Sequence, residues 1–162
     1  LENMQATRKV LTRIMNVLAG VSLIAMTVLT CWQVFTRYVL NNPSTWSEEL
    51  VGYLFAWASL FGASIITGER GHMNIPVVVE KMPVGAQKFF GVFAELIAMA
   101  FSLIILVYGG YRITLLAMGQ MTSSLGVAVG VFYVAMPVCG VINILYTILN
   151  IYDICKGKKE EA

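Results

Sequence analysis

Four long apolar stretches, separated by short polar segments, set the pattern of the chain. Each has about the 20 apolar residues that cross the hydrocarbon of a bilayer, where every backbone amide needs an internal partner. The pattern therefore predicts an all-α integral membrane protein with four transmembrane helices in a single domain of residues 1–162. The first stretch is longer than the apolar core of a signal peptide, so we expect it to remain as a helix. The predicted helices are approximately 14–36, 48–68, 87–110 and 127–152.

Two features of the second half modify this pattern. Between Gly109 and Val127 two conformations are compatible with the sequence: the third helix continues past Gly109-Gly110, or 112–120 lies along the membrane interface. Pro137 lacks a backbone donor, which predicts a kink in the fourth helix. Gly126 and Gly130 have the spacing of a helix-contact motif, but glycines that only face lipid fit the sequence equally well.

The composition supports a membrane location. Hydrophobic residues make up 58% of the chain and charged residues 12%, against about 45–50% and about 25% in soluble domains. A net charge of +2 does not suggest a nucleic-acid partner. The three cysteines are widely spaced, which argues against a disulfide framework or zinc site and favours buried apolar packing.

Basic residues predict the orientation. Nine of the eleven lie before helix one, between helices two and three, or after helix four, and only Arg37 and Arg112 lie on the other side. Because basic loops stay in the cytoplasm, we expect both termini and the 69–88 loop to be cytoplasmic. The 38–49 and 112–126 segments are then outside.

Enzymatic chemistry has little support in the sequence. The loops are short, and they contain no nucleophile elbow, phosphate-binding loop, dinucleotide motif or metal-ligand cluster. His72 is the only histidine, so two-histidine haem ligation by this chain alone is excluded. We expect no catalytic residues, no metal and no cofactor.

The most informative stretch runs from Gln33 to His72. Arg37 and Tyr38 form an interfacial pair where helix one leaves the membrane, and Asn41-Asn42-Pro43 predicts the turn. Ser44 or Ser47 can cap the next helix, with acidic residues favoured in its first turn. Singly, each feature is also ordinary helix-end chemistry.

Taken together, the stretch resembles the small membrane subunit of tripartite ATP-independent periplasmic (TRAP) transporters. Weaker similarity continues through Met82-Pro83, 123–126 and the Pro137 region, so the resemblance covers most of the chain. One departure is Pro76, where the family usually has an acidic residue. The motif positions are Arg37, Tyr38, Asn41, Pro43, Trp46, Ser47, Glu48, Glu49, Leu50, Tyr53, Phe55, Trp57, Gly62, Ala63, Gly71 and His72.

The resemblance implies a non-catalytic accessory subunit of the bacterial inner membrane. Its partners would be a large multi-span transport subunit, which carries an organic acid and sodium, a periplasmic substrate-binding protein, and membrane lipids. The substrate would be of the C4-dicarboxylate or sialic acid type. The expected partner interface comprises Arg37, Tyr38, Trp46, Glu48, Glu49, Tyr53, Trp57, Gly62, Gly71 and His72.

Glu95 is the one charge inside the third apolar stretch. An ionised carboxylate in hydrocarbon is costly, so it must face protein or water or be protonated. We favour a hydrogen bond between helices over a proton or ion relay. For His72, an interface contact is favoured over simple capping of the helix end.

Two other functions fit a small four-helix membrane protein. One is a proton-coupled exporter that acts as a homo-oligomer through Glu95. The other is a membrane anchor of a redox enzyme, with a haem ligand contributed to a partner. The lack of a polar stripe through several helices weakens the first, and the interfacial position of His72 weakens the second.

Overall fold

The computed structural model describes residues 2–69 and 84–155, and these ranges are helical apart from short connections. Four apolar spans result, Gln5–Tyr38, Thr45–Gly68, Gly85–Ala117 and Val129–Cys155, which confirms the predicted all-α, four-span fold. The elements are α1 (Glu2–Tyr38), α2 (Thr45–Gly68), α3 (Val84–Phe101), a π-helical segment (Ser102–Gly109), α4 (Gly110–Ala117), α5 (Val129–Tyr133) and α6 (Ala135–Cys155).

Helix α1 begins at Glu2, well before the predicted start near 14. No proline or glycine precedes Gly20, so nothing in the sequence interrupts the helix. Its 37 residues correspond to about 55 Å at 1.5 Å per residue, whereas the hydrocarbon is about 30 Å thick. Arg8, Lys9 and Arg13 are therefore part of the helix, and the helix is longer than is needed to cross the membrane.

The third span resolves the alternatives left open between Gly109 and Val127. The helix passes through Gly109-Gly110 and continues to Ala117, so Arg112 lies on a helix that prolongs the span. A hairpin of 118–128 follows, closed by hydrogen bonds from the backbone N–H of Thr122 to the Val127 carbonyl (2.8 Å) and from Val129 to Gln120 (2.9 Å). Gly126 has a φ of +66°, a conformation that favours glycine.

The fourth span is interrupted at Val134, between α5 and α6. Pro137 explains the position of the break, because proline cannot donate to the carbonyl four residues earlier, which is that of Tyr133. Gly126 lies in the hairpin turn, outside any helix, so the helix-contact motif considered for Gly126 and Gly130 does not form.

Helix α6 packs against both α2 and the third span, and α1 packs along α2. Glycines allow the close approach. A Cβ on Gly140 would lie 2.8 Å from side-chain atoms of Leu106 and Val107, and one on Gly130 would lie 2.7 Å from the Thr114 carbonyl oxygen. Met15, Phe61 and Cys139 form a buried apolar cluster.

The outer faces of the spans are apolar and exposed, as expected for surfaces that contact lipid. Cys139 is buried as predicted, but Cys31 and Cys155 are exposed, because they fall on outward faces of α1 and α6. We call the end with the 39–44 loop and the 118–128 hairpin the hairpin end, and the opposite end the terminal end.

Candidate functional site

Four of the predicted partner residues are exposed around the short loop at the hairpin end. Helix α1 ends at Tyr38, which is 76% exposed, and Arg37 beside it is also exposed. Trp46 and Glu48 are exposed in the first turn of α2. These side chains are available for contacts with another protein or with lipid headgroups.

The start of α2 is fixed by serine contacts within the chain. Ser44 occupies the N-cap position but its side chain makes no capping hydrogen bond to the backbone. Instead the buried Ser47 hydroxyl donates to the Ser44 carbonyl and contacts the Ser44 hydroxyl, each at 2.9 Å. The tight turn before it includes Asn41 at a φ of 49°.

Glu49, although adjacent to Glu48, is directed into the chain. Its carboxylate accepts hydrogen bonds from the backbone N–H groups of Ser123 (3.2 Å) and Ser124 (2.9 Å). These two bonds join the 118–128 hairpin to the first turn of α2. Glu49 therefore shapes the hairpin end, and its direct contact with a partner stays a prediction.

Tyr53 and Trp57, also predicted at the partner interface, contact the fourth span. The Tyr53 ring stacks on the Phe132 ring with centroids 4.0 Å apart and planes 5° apart. The Trp57 indole N–H donates to the Phe132 carbonyl oxygen at 2.7 Å. Both side chains are half-buried, and they pack α2 against α5 at Phe132, two residues before the break at Val134.

Gly62 leaves open space beside α2. No atom lies within 4 Å of a Cβ built at this position, so the gap is not filled by the described part of the chain. A partner helix could approach closely there, and this role stays a prediction. Gly71 and His72 lie outside the described residues.

Glu95 is 1% exposed and takes part in a hydrogen bond between helices. The Asn150 side-chain amide donates to Glu95 Oε1 at 2.9 Å and to the Thr67 carbonyl oxygen at 3.0 Å. Asn150 Oδ1 in turn accepts from the Arg8 guanidinium at 2.7 Å. A single side chain on α6 thus contacts α1, α2 and α3.

Further polar contacts surround this residue at the terminal end. The Arg8 guanidinium also forms an ion pair with Asp153 at 2.9 Å. The hydroxyls of Thr12 and Tyr146 lie 3.1 Å apart, and the Tyr146 ring packs on Gly68, where a Cβ would be 2.8 Å from the ring. We call this set the polar cluster: Arg8, Thr12, Thr67, Glu95, Tyr146, Asn150 and Asp153.

Sequence reasoning found Glu95 but missed its partners. Asn150 is neutral and lies in a stretch without charges, so it did not stand out as Glu95 did. A signal was nevertheless present, since Asn143 and Asn150 are seven residues apart and fall on one helical face. Both are buried.

The polar cluster is suited to holding helices together. Amide, hydroxyl and guanidinium groups can hydrogen-bond from one helix to another and so hold the helices together. In the described ranges, no three His, Cys, Asp or Glu side chains come together as metal ligands. The hydrogen bonds and the ion pair of this cluster join α1, α2, α3 and α6 to one another.

Comparison with known proteins agrees with this architecture. Residues 26–157 match the family described as "Tripartite ATP-independent periplasmic transporters, DctQ component". The chain is 28% identical to the sialic acid TRAP transporter small permease protein SiaQ of Vibrio cholerae over 149 residues, which cover 92% of this chain and 86% of that protein.

Two further relatives match about half of the chain. The C4-dicarboxylate TRAP transporter small permease protein DctQ of Vibrio cholerae is 32% identical over 51% of this chain and 36% of its own length. The sialic acid TRAP transporter permease protein SiaT of Haemophilus influenzae is 29% identical over 55% of this chain but only 14% of its own length. With four apolar spans and a family match over most of its length, the chain belongs to the DctQ family of TRAP transporter small membrane subunits, multi-pass proteins of the bacterial inner membrane.

Proposed function

We propose that this chain is a non-catalytic scaffold that braces the large transport subunit of a sodium-driven TRAP transporter for an organic acid. The observation that carries the proposal is the set of hydrogen bonds made by the Asn150 side chain, which join α6 to α1, α2 and α3. A helix bundle connected in this way supplies a rigid surface for a partner subunit that changes conformation. Glu95, the carboxyl group within the third span, accepts one of these hydrogen bonds.

We infer the partner contacts from the exposed side chains at the hairpin end and from the open space beside α2. The gap beside Gly62 suits close approach of a helix of the large subunit. At the hairpin end, exposed Arg37, Tyr38, Trp46 and Glu48 suit contact with a periplasmic substrate-binding protein. That contact requires the hairpin end to be periplasmic and both termini cytoplasmic, as the basic residues predict.

The substrate class rests on the relatives. Their names specify sialic acid and C4-dicarboxylates, which are both organic acids. We propose an organic acid of one of these types as the substrate, carried by the large subunit together with sodium.

Co-purification and reconstitution test the proposal. We expect the chain, expressed with its large permease, to be recovered as a complex in mild detergent. Liposomes that contain the complex, given substrate-loaded binding protein and a sodium gradient, should accumulate substrate, whereas liposomes with this chain alone should not. Transport by the isolated chain would refute the scaffold role.

A further inference from the structure

We propose that the terminal end of α1 binds the phosphate of an anionic glycerophospholipid. A shallow, open groove with a volume of about 490 Å³ lies along this part of the helix. It has cationic, hydroxyl and amide groups toward the helix start and an apolar side chain further along. The groove is lined by Arg8, Lys9, Thr12, Arg13, Asn16 and Val17.

The three basic residues of the groove differ in whether they bind other groups of the chain. Arg8 is held by Asn150 and Asp153, so its guanidinium is already engaged by protein groups. Lys9 and Arg13 are exposed, and neither forms an ion pair with a carboxylate in the described ranges. Two cations on one face of the helix are thus left for a ligand from outside.

The depth of these residues matches that of lipid headgroups. The apolar part of α1 begins at Ile14, so Lys9 and Arg13 lie within about two turns of the hydrocarbon boundary. At this depth an anionic bilayer presents phosphate groups, which attract basic side chains. A guanidinium binds a phosphate through paired hydrogen bonds, and an ammonium adds a compact charge.

Asn16 provides an independent observation. It is exposed just inside the apolar stretch, and its side chain makes no hydrogen bond to any described residue. An amide that faces hydrocarbon without partners is costly. Phosphate or glycerol-ester oxygens of a lipid bound at Arg13 would satisfy its donors, since Asn16 lies only about 4.5 Å further along the helix axis.

The same face continues as a track for an acyl chain. Val17, Val21 and Ile24 follow at helical spacing, and their side chains are 57%, 59% and 68% exposed. Cations, then an amide, then apolar side chains are complementary, in that order, to the phosphate, the glycerol esters and the acyl chain of a phospholipid. A soluble phosphate would use only the first part of this surface.

Native mass spectrometry of the full chain in complex with its large permease tests the site. We expect phosphatidylglycerol to bind in preference to phosphatidylcholine. The double substitution Lys9→Gln/Arg13→Gln should weaken phosphatidylglycerol binding roughly 30-fold, from the loss of two surface charges. The charge-keeping pair Lys9→Arg/Arg13→Lys should bind as wild type does, which separates lipid binding from misfolding.

A matched control lies at the hairpin end, where Arg37 and Arg112 are also exposed. Arg37→Gln/Arg112→Gln should leave phosphatidylglycerol binding unchanged. Equal binding of the two lipids, equal loss in both double variants, or full competition by inorganic phosphate would overturn the proposal. So would wild-type binding that appears only when the permease is removed, since the permease would then be the occupant.

Discussion

The side-chain amide of Asn150 donates to Glu95 Oε1 at 2.9 Å, and Glu95 is 1% exposed. This pair joins α6 to α3 inside the apolar region. Through the same amide group, Asn150 also reaches Thr67 on α2 and Arg8 on α1. The contact explains how a carboxyl group is accommodated in the third span and why four helices share one fixed arrangement.

Asn150→Ala should lower the free energy of unfolding by about 2 kcal/mol, because three hydrogen bonds between spans are lost at an average of about 0.6 kcal/mol each. Unfolding of the chain in detergent–denaturant mixtures, followed by circular dichroism, measures the change. Asn42→Ala is the matched control, since Asn42 is exposed in the 39–44 loop. If both variants unfold at the same denaturant composition, Asn150 does not hold the spans together.

Glu95→Gln should leave assembly with the large permease and transport close to wild type. The glutamine carbonyl can still accept the hydrogen bond from Asn150, and the side chain keeps nearly the same size and shape. Sodium-driven uptake in proteoliposomes provides the measurement. A large loss of uptake, or of its coupling to sodium or protons, would contradict the structural role and favour an ion relay through Glu95.

Gly68→Ala should destabilise the chain by about 1–3 kcal/mol through overpacking. Its Cβ would lie 2.8 Å from the Tyr146 ring and would displace a side chain that contacts the Thr12 hydroxyl at 3.1 Å. Gly52→Ala is the control, because no atom lies within 4 Å of its Cβ and alanine favours helix. Thermal unfolding should separate the two variants, and a wild-type melting temperature for Gly68→Ala would show that the ring moves freely.

The spans themselves could be predicted from the sequence, because apolar length is a property of each segment alone. The course of residues between Gly109 and Val127 could not. There the choice depends on Gly110 packing against Met136 and Pro137, and on Gly130 packing against Thr114, contacts between distant parts of the chain. An irregularity in the fourth span could be predicted from Pro137. The hydrogen bond from Trp57 to Phe132, just before the break at Val134, could not.

In the polar cluster, too, the sequence predicts a single residue but not the residues that it contacts. Glu95 stood out as a single charge in an apolar stretch, whereas the identity of its partner depends on how α3 and α6 are aligned. Glu48 and Glu49 were grouped together because both fit a first helical turn. Only the position of the hairpin reveals that one is exposed and the other binds backbone amides.

Because Glu49 binds backbone amides and Glu48 is exposed, substitutions of the two residues should affect different properties. Glu49→Ala should speed hydrogen exchange at the Ser123 and Ser124 amides by roughly tenfold or more, because a hydrogen bond to a charged group contributes about 1.5–3 kcal/mol. Glu48→Lys should leave that exchange unchanged. It should raise the concentration of binding protein needed for half-maximal uptake about threefold, because an exposed ion pair contributes about 0.2–1 kcal/mol and rim charges also set the association rate. Identical behaviour of the two variants in both assays would refute the assignment.

Gly62 offers the sharpest test of contact with the large permease. Gly62→Leu should leave the stability of the isolated chain unchanged, since no atom lies within 4 Å of the added Cβ, yet it should fill the gap that a partner helix would occupy. Recovery of the complex should fall roughly tenfold, because overpacking at a close helix contact costs about 1–3 kcal/mol. Gly52→Leu, on the same helix and also without neighbours within 4 Å, should assemble normally. The ratio of permease to small subunit after affinity purification gives the result. Normal assembly of Gly62→Leu would place the partner against another face, and a loss for both variants would point to a general effect of leucine on α2.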